Sequence, residues 1–404
     1  MNKEELKITL FAAKLNTCGG AERVVLEEAG YFLSKKVSLQ VLTFEFDPSV
    51  LMGNEQVSVK AISARSFWGK LKRLRKELKD IKPDLVIGHN NEDCLFIYLA
   101  SLFLGIKYAT HIFGTIFWFD DDLKKYALLH RRVFKLIRDS VAGHKEFLPE
   151  KARFSLPVFI KNNLMAVLDF FAVRGARFIV TLNEHLRWEI RQVYYRDAVV
   201  CTGCLSAQWL KCQPGYDWRK ELGLEGKKIV LSVCRLDHRK RLGLLIEAFA
   251  KLSRQRNDLV LLIAGSGKEE AKLRSLSAQS GIAGKAVFLG AIEETRLRSL
   301  YQAADVFVFV GWTSFGITRF EALAAGAKSV WSNEVGNKEI SAWEGMVFPT
   351  EPEANSLAAA ILKAIDEPAA SLPDLSAYLW KNYFDQLNGL VLSAVSGGSL
   401  NARR

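Results

Sequence analysis

The chain has 404 residues, of which 49% are hydrophobic and 25% are charged, with 28 glycines and only 9 prolines. This length suggests two or three domains. The apolar content excludes a mostly disordered chain, and the low proline count excludes a collagen-like one. The 56 lysines and arginines outnumber the 44 acidic residues, which gives a net charge of +12 and a pI near 9.3. Such an excess favours an anionic partner, such as nucleic acid, a phosphorylated ligand or lipid headgroups.

The amino-terminal stretch MNKEELKITLFAAKL predicts a first β-strand, because its apolar run is too short and wrongly flanked for a signal peptide. Six cysteines in a chain of this length, without secretory context, indicate reduced thiols. Cys201, Cys204 and Cys212 offer three of the four ligands that a structural zinc site needs, so we interpret them as plain cysteines. The apolar core CLFIYLASLFLGI is shorter than the ~20 residues of a spanning helix. We expect a cytoplasmic protein that is soluble or peripheral to a membrane.

Strands alternate with helices along both halves of the chain. In the first half the predicted strands are LKITLFAA, VSLQVLTF, DLVIGH, YATHIF, RFIVTL and AVVCTG. From Lys227 onward the strands KKIVLSVCRL, LVLLIAGSG, KAVFLG, VFVFV and KSVWS are each followed by a helical pattern. Uninterrupted apolar strands that alternate with helices are typical of a parallel sheet covered on both faces. The predicted fold class is therefore α/β, with two doubly wound, Rossmann-like domains that face each other across a ligand cleft.

The domain boundaries follow from turn residues and loss of periodicity. The segment QPGYDWRKELGLEG is rich in turn residues, which predicts a linker over residues 206–226 between domains at 1–205 and 227–375. Residues 376–404 are predicted to form a carboxyl-terminal helix with a frayed tail.

The positive charge is concentrated in two segments of the first half. Residues 60–82 hold nine bases and two acids, and residues 124–161 hold ten bases and three acids, so the rest of the chain is slightly acidic. In the first segment an apolar stripe at helical spacing faces a lysine and arginine face. Two readings stay open: a core-packed helix with a solvated basic face, or a helix that docks on an anionic membrane. In the second reading the membrane-facing residues are Phe67, Trp68, Lys70, Lys72, Arg73, Arg75 and Lys76. Nucleic acid is not expected, since no recognition motif is found.

The strongest local motif is AADVFVFVGWTSFGITRFEALAAG, which begins at Ala303. The strand VFVFV leads through a short loop to Gly316, which opens a helix that carries Glu321. Unsatisfied N–H groups and the helix dipole favour a phosphate at this position. Glu321 could accept hydrogen bonds from ribose hydroxyls. An ordinary βα turn is the alternative reading of the motif by itself.

Further residues are predicted at the carboxyl edges of the two sheets. Arg235 and Lys240 follow the strand KKIVLSVC, where a diphosphate could lie against a guanidinium and an ammonium. The GxG of Gly265 and Gly267 is weak by itself and is also compatible with a tight turn. Gly19 and Gly20 follow the first strand and would permit close backbone approach of a ligand. His111 stands near the end of the strand YATHIF, although a lone histidine there is more often a core residue.

These residues carry a resemblance to a known family. Seven segments resemble those of the retaining glycosyltransferases of family 4, which have the GT-B fold, and they occur in the same order. They are GGAERV, YATHIFG, TLNEHLR, CRLDHRKRLGLLIEAF, LLIAGSG, SFGITRFEALAAG and EVGNKEI. GGAERV also resembles the opening of mannosyltransferases of lipid-linked oligosaccharide assembly. The resemblance implies a metal-independent hexosyltransferase of the mannose or glucose type that acts with retention on a glycan or lipid-linked acceptor. It implies no cofactor, and a GDP- or UDP-linked sugar as the donor substrate.

The resemblance also assigns roles. The first domain would bind the acceptor and the second the nucleotide-sugar, while the last helix would cross back to the first domain. Arg235 and Lys240 would neutralise the donor diphosphate, Glu321 would bind the ribose, and His111 would contact the donor sugar. His111, Arg235 and Lys240 are the predicted catalytic residues. The predicted donor-binding residues are Gly19, Gly20, Arg235, Lys240, Gly265, Gly267, Thr313, Ser314, Phe315, Gly316, Ile317 and Glu321.

One departure from the family pattern concerns the donor sugar. The first glutamate of the family's Glu-x7-Glu motif is replaced by Thr313, which is shorter and neutral. Either the sugar is held differently, with help from Ser314, or transfer is weak or lost. Two alternatives therefore stay open: a non-catalytic relative that binds nucleotide-sugars, and a membrane-bound scaffold without nucleotide affinity. A metal site at Asp120, Asp121 and Asp122 is disfavoured, because an acidic helix start explains the triplet more simply.

Overall fold

The polypeptide leaves its first folding unit at Cys201 and re-enters it at Tyr383. In the computed structural model, the first unit comprises Met1–Cys201 and Tyr383–Arg404, and the second comprises Thr202–Asn382. The structure describes residues 6–16, 19–51, 54–114, 156–206, 209, 215–311, 315–333, 343–368 and 370–396.

The first unit is built on a seven-stranded sheet in the order β3-β2-β1-β4-β5-β6-β7, in which every neighbouring pair is parallel. Its central strands are buried from end to end, as expected for a parallel sheet covered on both faces. The strands are β1 (Lys7–Leu15), β2 (Ser38–Phe46), β3 (Val59–Ala61), β4 (Leu85–Gly88), β5 (Tyr108–Ile112), β6 (Ile179–Thr181) and β7 (Val199–Val200).

Within the described ranges, six helices cover this sheet. They are α1 (Gly20–Ser34), α2 (Phe67–Ile81), α3 (Asn91–Ser101), α4 (Leu156–Gly175), α5 (Glu184–Tyr194) and, from Tyr383 onward, α12 (Trp380–Ser396). Short polar side chains fix several helix starts: Ser66 accepts from Gly69 N, Asn90 from Asp93 N and Asn183 from Leu186 N. Helix α3 packs against both α2 and α4.

The last helix completes the first unit. Phe384 stacks on Tyr31 of α1 with ring centroids 4.5 Å apart. Leu387 and Val391 are fully buried. Lys107 donates a hydrogen bond to the Val395 carbonyl over 2.6 Å. These contacts make α12 an integral part of the layer that contains α1.

The second unit has a six-stranded parallel sheet in the order β10-β9-β8-β11-β12-β13. Its strands are β8 (Lys228–Val233), β9 (Leu259–Ala264), β10 (Ala286–Gly290), β11 (Val306–Phe309), β12 (Lys328–Ser332) and β13 (Val347–Thr350). Its helices are α6 (Trp218–Glu221), α7 (Leu242–Ser253), α8 (Glu270–Gln279), α9 (Glu294–Ala303), α10 (Ile317–Ala324) and α11 (Ala354–Asp366). One face of the sheet packs with α7 and α11 in a continuous apolar core.

The described part of the segment predicted as a linker belongs to the second unit. Within it, α6 buries Trp218, whose indole N–H donates to the Arg296 carbonyl over 3.2 Å. Arg219 beside it pairs with Asp305 over 2.7 Å. Turn-rich composition hides this short helix, because a single turn leaves no periodic signal in the sequence.

The apolar stretch that follows Cys94 forms the rest of α3, a turn and strand β5, in agreement with the buried helix and strand predicted from its length. Among the residues that the structure describes, none of the helices combines the length and apolar character needed to cross a bilayer.

Candidate functional site

The loops after β8 and β9 run side by side at the carboxyl edge of the second sheet. Cys234 N donates to the Ala264 carbonyl over 3.1 Å, and Leu236 N to the Ser266 carbonyl over 2.9 Å. A Cβ on Gly265, which has φ +125°, would lie 1.9 Å from the Cys234 carbonyl oxygen. A Cβ on Gly267 would lie 2.4 Å from the Leu236 oxygen. Both glycines of the GxG are thus required for the approach of the two loops, independently of any ligand.

Arg235 and Lys240 flank Asp237 at this edge. The Arg235 side chain is 53% exposed, and its Nε lies 3.6 Å from Asp237 Oδ2. Lys240 ends a 3₁₀ turn, His238–Lys240, that Asp237 caps. Its Nζ lies 5.5 Å from the centroid of the Phe309 ring, at the end of β11. Burial lowers the pKa of Lys240, and the neighbouring arginines act in the same direction. Arg235 and Lys240, the two predicted cations, therefore belong to one loop, in which Arg235 is exposed and Lys240 is half-buried.

The loop that carries Lys240 lies against the chain that follows β11. A Cβ on Gly311 would lie 3.1 Å from Lys240 Cδ, so the absence of a side chain there admits the lysine stem. Burial raises the pKa of the Cys234 thiol to about 11, so this thiol is neutral at physiological pH. The edge of the sheet thus carries positive charge without a compensating thiolate.

Helix α10 begins after Gly316, as the motif predicts. Gly316 has φ +72°, the left-handed region that favours glycine, and a Cβ there would lie 2.9 Å from the Phe309 ring. Glu321 is 1% exposed, and Tyr301 donates its hydroxyl hydrogen to Glu321 Oε2 over 3.2 Å. Phe315 is buried and stacks on Phe320, while Ile317 is half-buried. Thr313 and Ser314 lie outside the described residues.

Sequence reasoning missed Arg319 in the first turn of α10. This residue is 4% exposed, and its guanidinium lies 4.6 Å from the centroid of the Trp331 ring. It also donates to the Phe315 carbonyl. An arginine inside the apolar run GITRFEALA is the signal that could have identified it, because an arginine is rarely buried without partners.

The first unit places its predicted residues around the start of α1 and the end of β5. Gly19 precedes the helix in extended backbone and Gly20 is its first residue. A Cβ on Gly19 would lie 2.3 Å from Glu22 Oε2, the far end of a flexible side chain. His111 is fully buried in β5. Its Nδ1 faces Glu28, whereas its Nε2 has no hydrogen-bond partner among the described residues.

A buried polar network surrounds His111. His111 Nδ1 lies 2.8 Å from Glu28 Oε1, and His89 Nε2 lies 2.9 Å from Glu28 Oε2. The Tyr383 hydroxyl donates to Glu28 Oε1 and lies 3.2 Å from His111 Nδ1. All four side chains are at most 2% exposed. The network joins α1, β5, the residue after β4 and α12.

Two residues of this network carry a partial signal in the sequence. His89 directly follows the apolar strand DLVIG, and Glu28 interrupts the buried face of α1. The participation of Tyr383 could not be predicted, since 272 residues separate it from His111.

Burial and the neighbouring charges shift the pKa values of Glu28, His89 and His111 in different directions. Burial opposes ionisation of Glu28, but the adjacent His111 and His89 outweigh it and hold the pKa of that carboxyl well below its usual range. Burial opposes protonation of His89, but Glu28 raises its pKa above the ordinary value. Burial lowers the pKa of His111, and His89 lowers it further against the opposing effect of Glu28. Glu28 is therefore a carboxylate, His89 an imidazolium and His111 a neutral imidazole.

Glu28, His89 and His111 also place one donor atom each within 4.8 Å of one another, the spacing of a metal site. Hydrogen bonding accounts for the same geometry, since each of the histidine nitrogens involved already faces a Glu28 oxygen. Cys94, Cys201, Cys204 and Cys234 are not in disulfide bonds. Cys212 and the triplet Asp120–Asp122 lie outside the described residues.

The residues predicted to face a membrane divide into two groups. Trp68 is 74% exposed, and Lys72, Arg73 and Lys76 are also exposed. The other group is engaged within the first unit. Phe67 packs on Phe96 at 5.0 Å, Lys70 lies over the Phe44 ring, and Arg75 donates to the Ala100 and Leu102 carbonyls over 2.8 Å. Helix α2 is therefore core-packed and keeps a basic outer face.

Comparison with known proteins gives this architecture a context. Residues 216–381 match the family model for glycosyl transferases group 1. An uncharacterised glycosyltransferase of Methanocaldococcus jannaschii is 37% identical over 199 residues, which cover 46% of this chain and 51% of the relative. The lipopolysaccharide core biosynthesis mannosyltransferase LpsB of Rhizobium meliloti is 28% identical over 217 residues, 48% of this chain and 60% of LpsB. The matches therefore span between half and two thirds of these relatives.

A solved structure extends the likeness of fold to nearly the whole chain. HepE of Anabaena, solved with UDP, superposes with a TM-score of 0.68 at 16% identity, over 97% of this chain and 98% of HepE. The predicted GT-B fold class, with one parallel sheet in each unit, is confirmed. The predicted resemblance to glycosyltransferases, mannosyltransferases among them, is confirmed as well. Residues 216–381 of this chain thus resemble the glycosyl transferases group 1, and the chain as a whole has the GT-B fold.

Proposed function

We propose that the protein is a glycosyltransferase that moves a hexosyl group, of the mannose or glucose type, from a nucleotide-diphospho-sugar to a glycan or lipid-linked acceptor. The observation that carries this proposal is the edge of the second sheet, where Arg235, the half-buried Lys240 and the start of α10 occur within the matched segment. The UDP complex of the structural relative HepE supports a nucleotide diphosphate as the ligand class.

The proposed catalysis depends on stabilising the negative charge of the leaving diphosphate. When the bond between the sugar and the diphosphate breaks, negative charge grows on the leaving phosphate. A guanidinium, an ammonium and the N–H groups at a helix start would stabilise that charge without a metal ion. Lys240 suits this role, since its side chain lies against Phe309 and Gly311 on the path from β11 to α10. Retention of configuration at the sugar belongs to the same proposal.

The acceptor would be held by the first unit. The name of LpsB, a lipopolysaccharide core mannosyltransferase, supports a glycan or lipid-linked acceptor. We place His111 on the donor sugar, with Gly19 and Gly20 beside the reacting centre. Gly265 and Gly267 would border the donor only through their backbone, because their Cβ positions are occupied by the neighbouring loop.

The peripheral location is a separate part of the proposal. Helix α2 exposes Trp68 and a row of bases. Helix α4, which packs on the same helix α3 as α2, exposes a stripe of apolar side chains at helical spacing, namely Leu156, Ile160, Leu164, Val167 and Phe171. Exposed apolar side chains with nearby bases fit an anionic bilayer surface. We propose that this face docks on the cytosolic leaflet of a membrane.

Calorimetry with UDP, GDP and ADP tests the donor site. We expect one of the three nucleotides to bind and the matching nucleotide-sugar to give product with a suitable acceptor. Glu321→Gln keeps the acceptor for the Tyr301 hydroxyl but removes the charge, so weakened binding would reflect the ribose contact. Arg235→Ala and Lys240→Ala should reduce turnover by about 10²-fold or more. Lys272→Ala, which alters an exposed base of α8, is the matched control.

The competing readings give different results. Nucleotide binding without turnover on any acceptor would indicate the non-catalytic relative that Thr313 suggests. Lipid binding with no affinity for any of the three nucleotides would indicate the scaffold and would refute the proposed activity.

A further inference from the structure

The hydrogen-bonding partners around Glu28 determine which nitrogen of each histidine carries a proton. His89 Nδ1 lies 3.3 Å from the Phe11 carbonyl oxygen, and His89 Nε2 lies 2.9 Å from Glu28 Oε2. Both of these oxygens are acceptors only, so both nitrogens of His89 must be donors. His89 is therefore an imidazolium, and it compensates the buried Glu28 carboxylate.

The same reasoning gives a different state for His111. Its Nδ1 lies 2.8 Å from Glu28 Oε1 and must donate to that carboxylate. Because His89 is already paired with Glu28, a second proton on His111 would place two buried imidazolium rings 5.1 Å apart around one carboxylate. His111 is then a neutral imidazole with the hydrogen on Nδ1, and its Nε2 carries a lone pair.

That lone pair is the unusual element of the network. His111 is fully buried, yet its Nε2 has no partner among the residues that the structure describes. An unpaired buried acceptor is destabilising, and a ligand that supplies the missing donor explains why it is retained. The residue stands near the carboxyl end of β5, the edge where parallel sheets bind ligands.

We propose that Glu28 is a positioning residue: with His89 as its counter-ion, it fixes His111 as the Nδ1–H tautomer and presents Nε2 as an acceptor for a hydroxyl group of the bound substrate. A hydroxyl that donates to Nε2 would be oriented by that bond, and the neutral imidazole could take up part of its proton. Tyr383 supports the same arrangement, since its hydroxyl hydrogen occupies a further lone pair of Glu28. The substrate part of this inference rests on the proposed function, whereas the tautomer does not.

Nitrogen NMR of the full chain labelled with ¹⁵N-histidine tests the tautomer directly. The chain has six histidines, and the signals of His111 are identified by their loss in His111→Gln. In the wild-type protein we expect a protonated Nδ1 and an unprotonated Nε2 on His111, with both nitrogens of His89 protonated. Glu28→Gln should abolish this preference, because an amide can donate as well as accept. An imidazolium or an Nε2–H tautomer at His111 would overturn the proposal even if Glu28→Gln fails to fold.

A matched variant separates positioning from a general loss of structure. Glu189 is a buried glutamate in the same unit that lies 3.1 Å from His185 Nε2. Glu189→Gln should leave the His111 signals unchanged. Tyr383→Phe should also preserve the tautomer, since Glu28 and His111 stay paired. A stoichiometric divalent ion, detected by metal analysis of the purified protein, would contradict the hydrogen-bonded assignment.

Turnover links the tautomer to function. With UDP-glucose and GDP-mannose as probe donors, Glu28→Gln should lower kcat by about tenfold to a hundredfold with a smaller change in KM. Glu189→Gln should have no effect on either constant. If the wild-type protein binds neither of these donors and none of UDP, GDP and ADP, the proposed function fails while the tautomer result stands. If the wild-type protein is active and Glu28→Gln matches it in spectrum and kcat, the positioning role fails.

Discussion

Single glycines control how closely the loops at the edge of the second sheet approach each other. Gly265 follows β9 with φ +125°, a conformation that L side chains rarely adopt. Its Cβ position is occupied by the carbonyl of Cys234 in the loop that leads to Arg235 and Lys240. The position of the loop that carries Arg235 and Lys240 therefore depends on Gly265, which has no side chain.

Replacing Gly265 by alanine should destabilise the second unit by about 2–4 kcal/mol, because both the dihedral strain and the clash are with backbone. Equilibrium denaturation of the purified variant measures this change. Gly284→Ala is the control, since no atom lies within 4 Å of the Cβ position there. Equal stability of the two variants would show that the neighbouring loop moves aside freely.

Individual residues could be predicted where a local sequence feature, such as the end of a strand, marks their position. Arg235, Lys240 and Gly316 were identified because each stands at a strand end or helix start, and strand ends meet at one edge of a parallel sheet. Glu28 and Tyr383 were missed because each belongs to a regular helix, where a single polar residue gives no sign of its partner. Their roles depend on contacts across the sequence that periodicity does not encode.

At the scale of elements, the helices of the first unit differ in how they use their apolar side chains. Helix α2 directs Leu74 and Leu78 into the core and keeps its bases outside. Helix α4 instead leaves Leu164 and Phe171 more than half exposed. The combination of a basic helix and an apolar helix on one layer is the basis of the proposed membrane face.

Flotation with vesicles tests that face. We expect the protein to bind vesicles that contain anionic lipid and not neutral ones, because each base near the surface contributes about 1 kcal/mol. Replacing Lys72, Arg73 and Lys76 together by glutamine should reduce binding strongly, as should Leu164→Ser with Phe171→Ser. Replacing Lys268, Lys272 and Lys363 of the second unit by glutamine removes the same charge and should have no effect. No enrichment on anionic vesicles would refute the membrane proposal.

Strands and helices were predicted more reliably from the sequence than the contacts that they make with one another. The apolar strands of the second half were identified because each is a continuous apolar run, the pattern of a sheet buried on both faces. Helix α6 was not, since four residues are too few for a helical period. The sequence pattern of α2 left two readings open, and its packing on α3 supplied the missing information.

At the scale of the whole molecule, the first unit is discontinuous in sequence. Its last helix follows the entire second unit, and α12 buries Tyr383, Phe384, Leu387 and Val391 within the first. Burial of one such side chain contributes roughly 1.5–3 kcal/mol, so four of them amount to a stability comparable with that of a whole domain.

A chain that ends at Asn382 should therefore lose protection in the first unit and keep it in the second. Hydrogen exchange measured by mass spectrometry, compared between β1 and β8, reads the two units separately. A chain that ends at Ser396 retains all the contacts of α12 described here and serves as the control. Full protection of β1 in the shorter chain would show that α12 is dispensable.

The late position of α12 has a consequence for synthesis on the ribosome. The strands of the first sheet are translated early, but the helix that covers Tyr31 and pairs with Glu28 emerges only after the whole second sheet has been made. Until then the nascent chain presents uncovered apolar surface for the time needed to translate about half the protein, a state that attracts chaperones and favours misassembly. We expect the second unit to acquire its native structure first, although the first unit begins the chain.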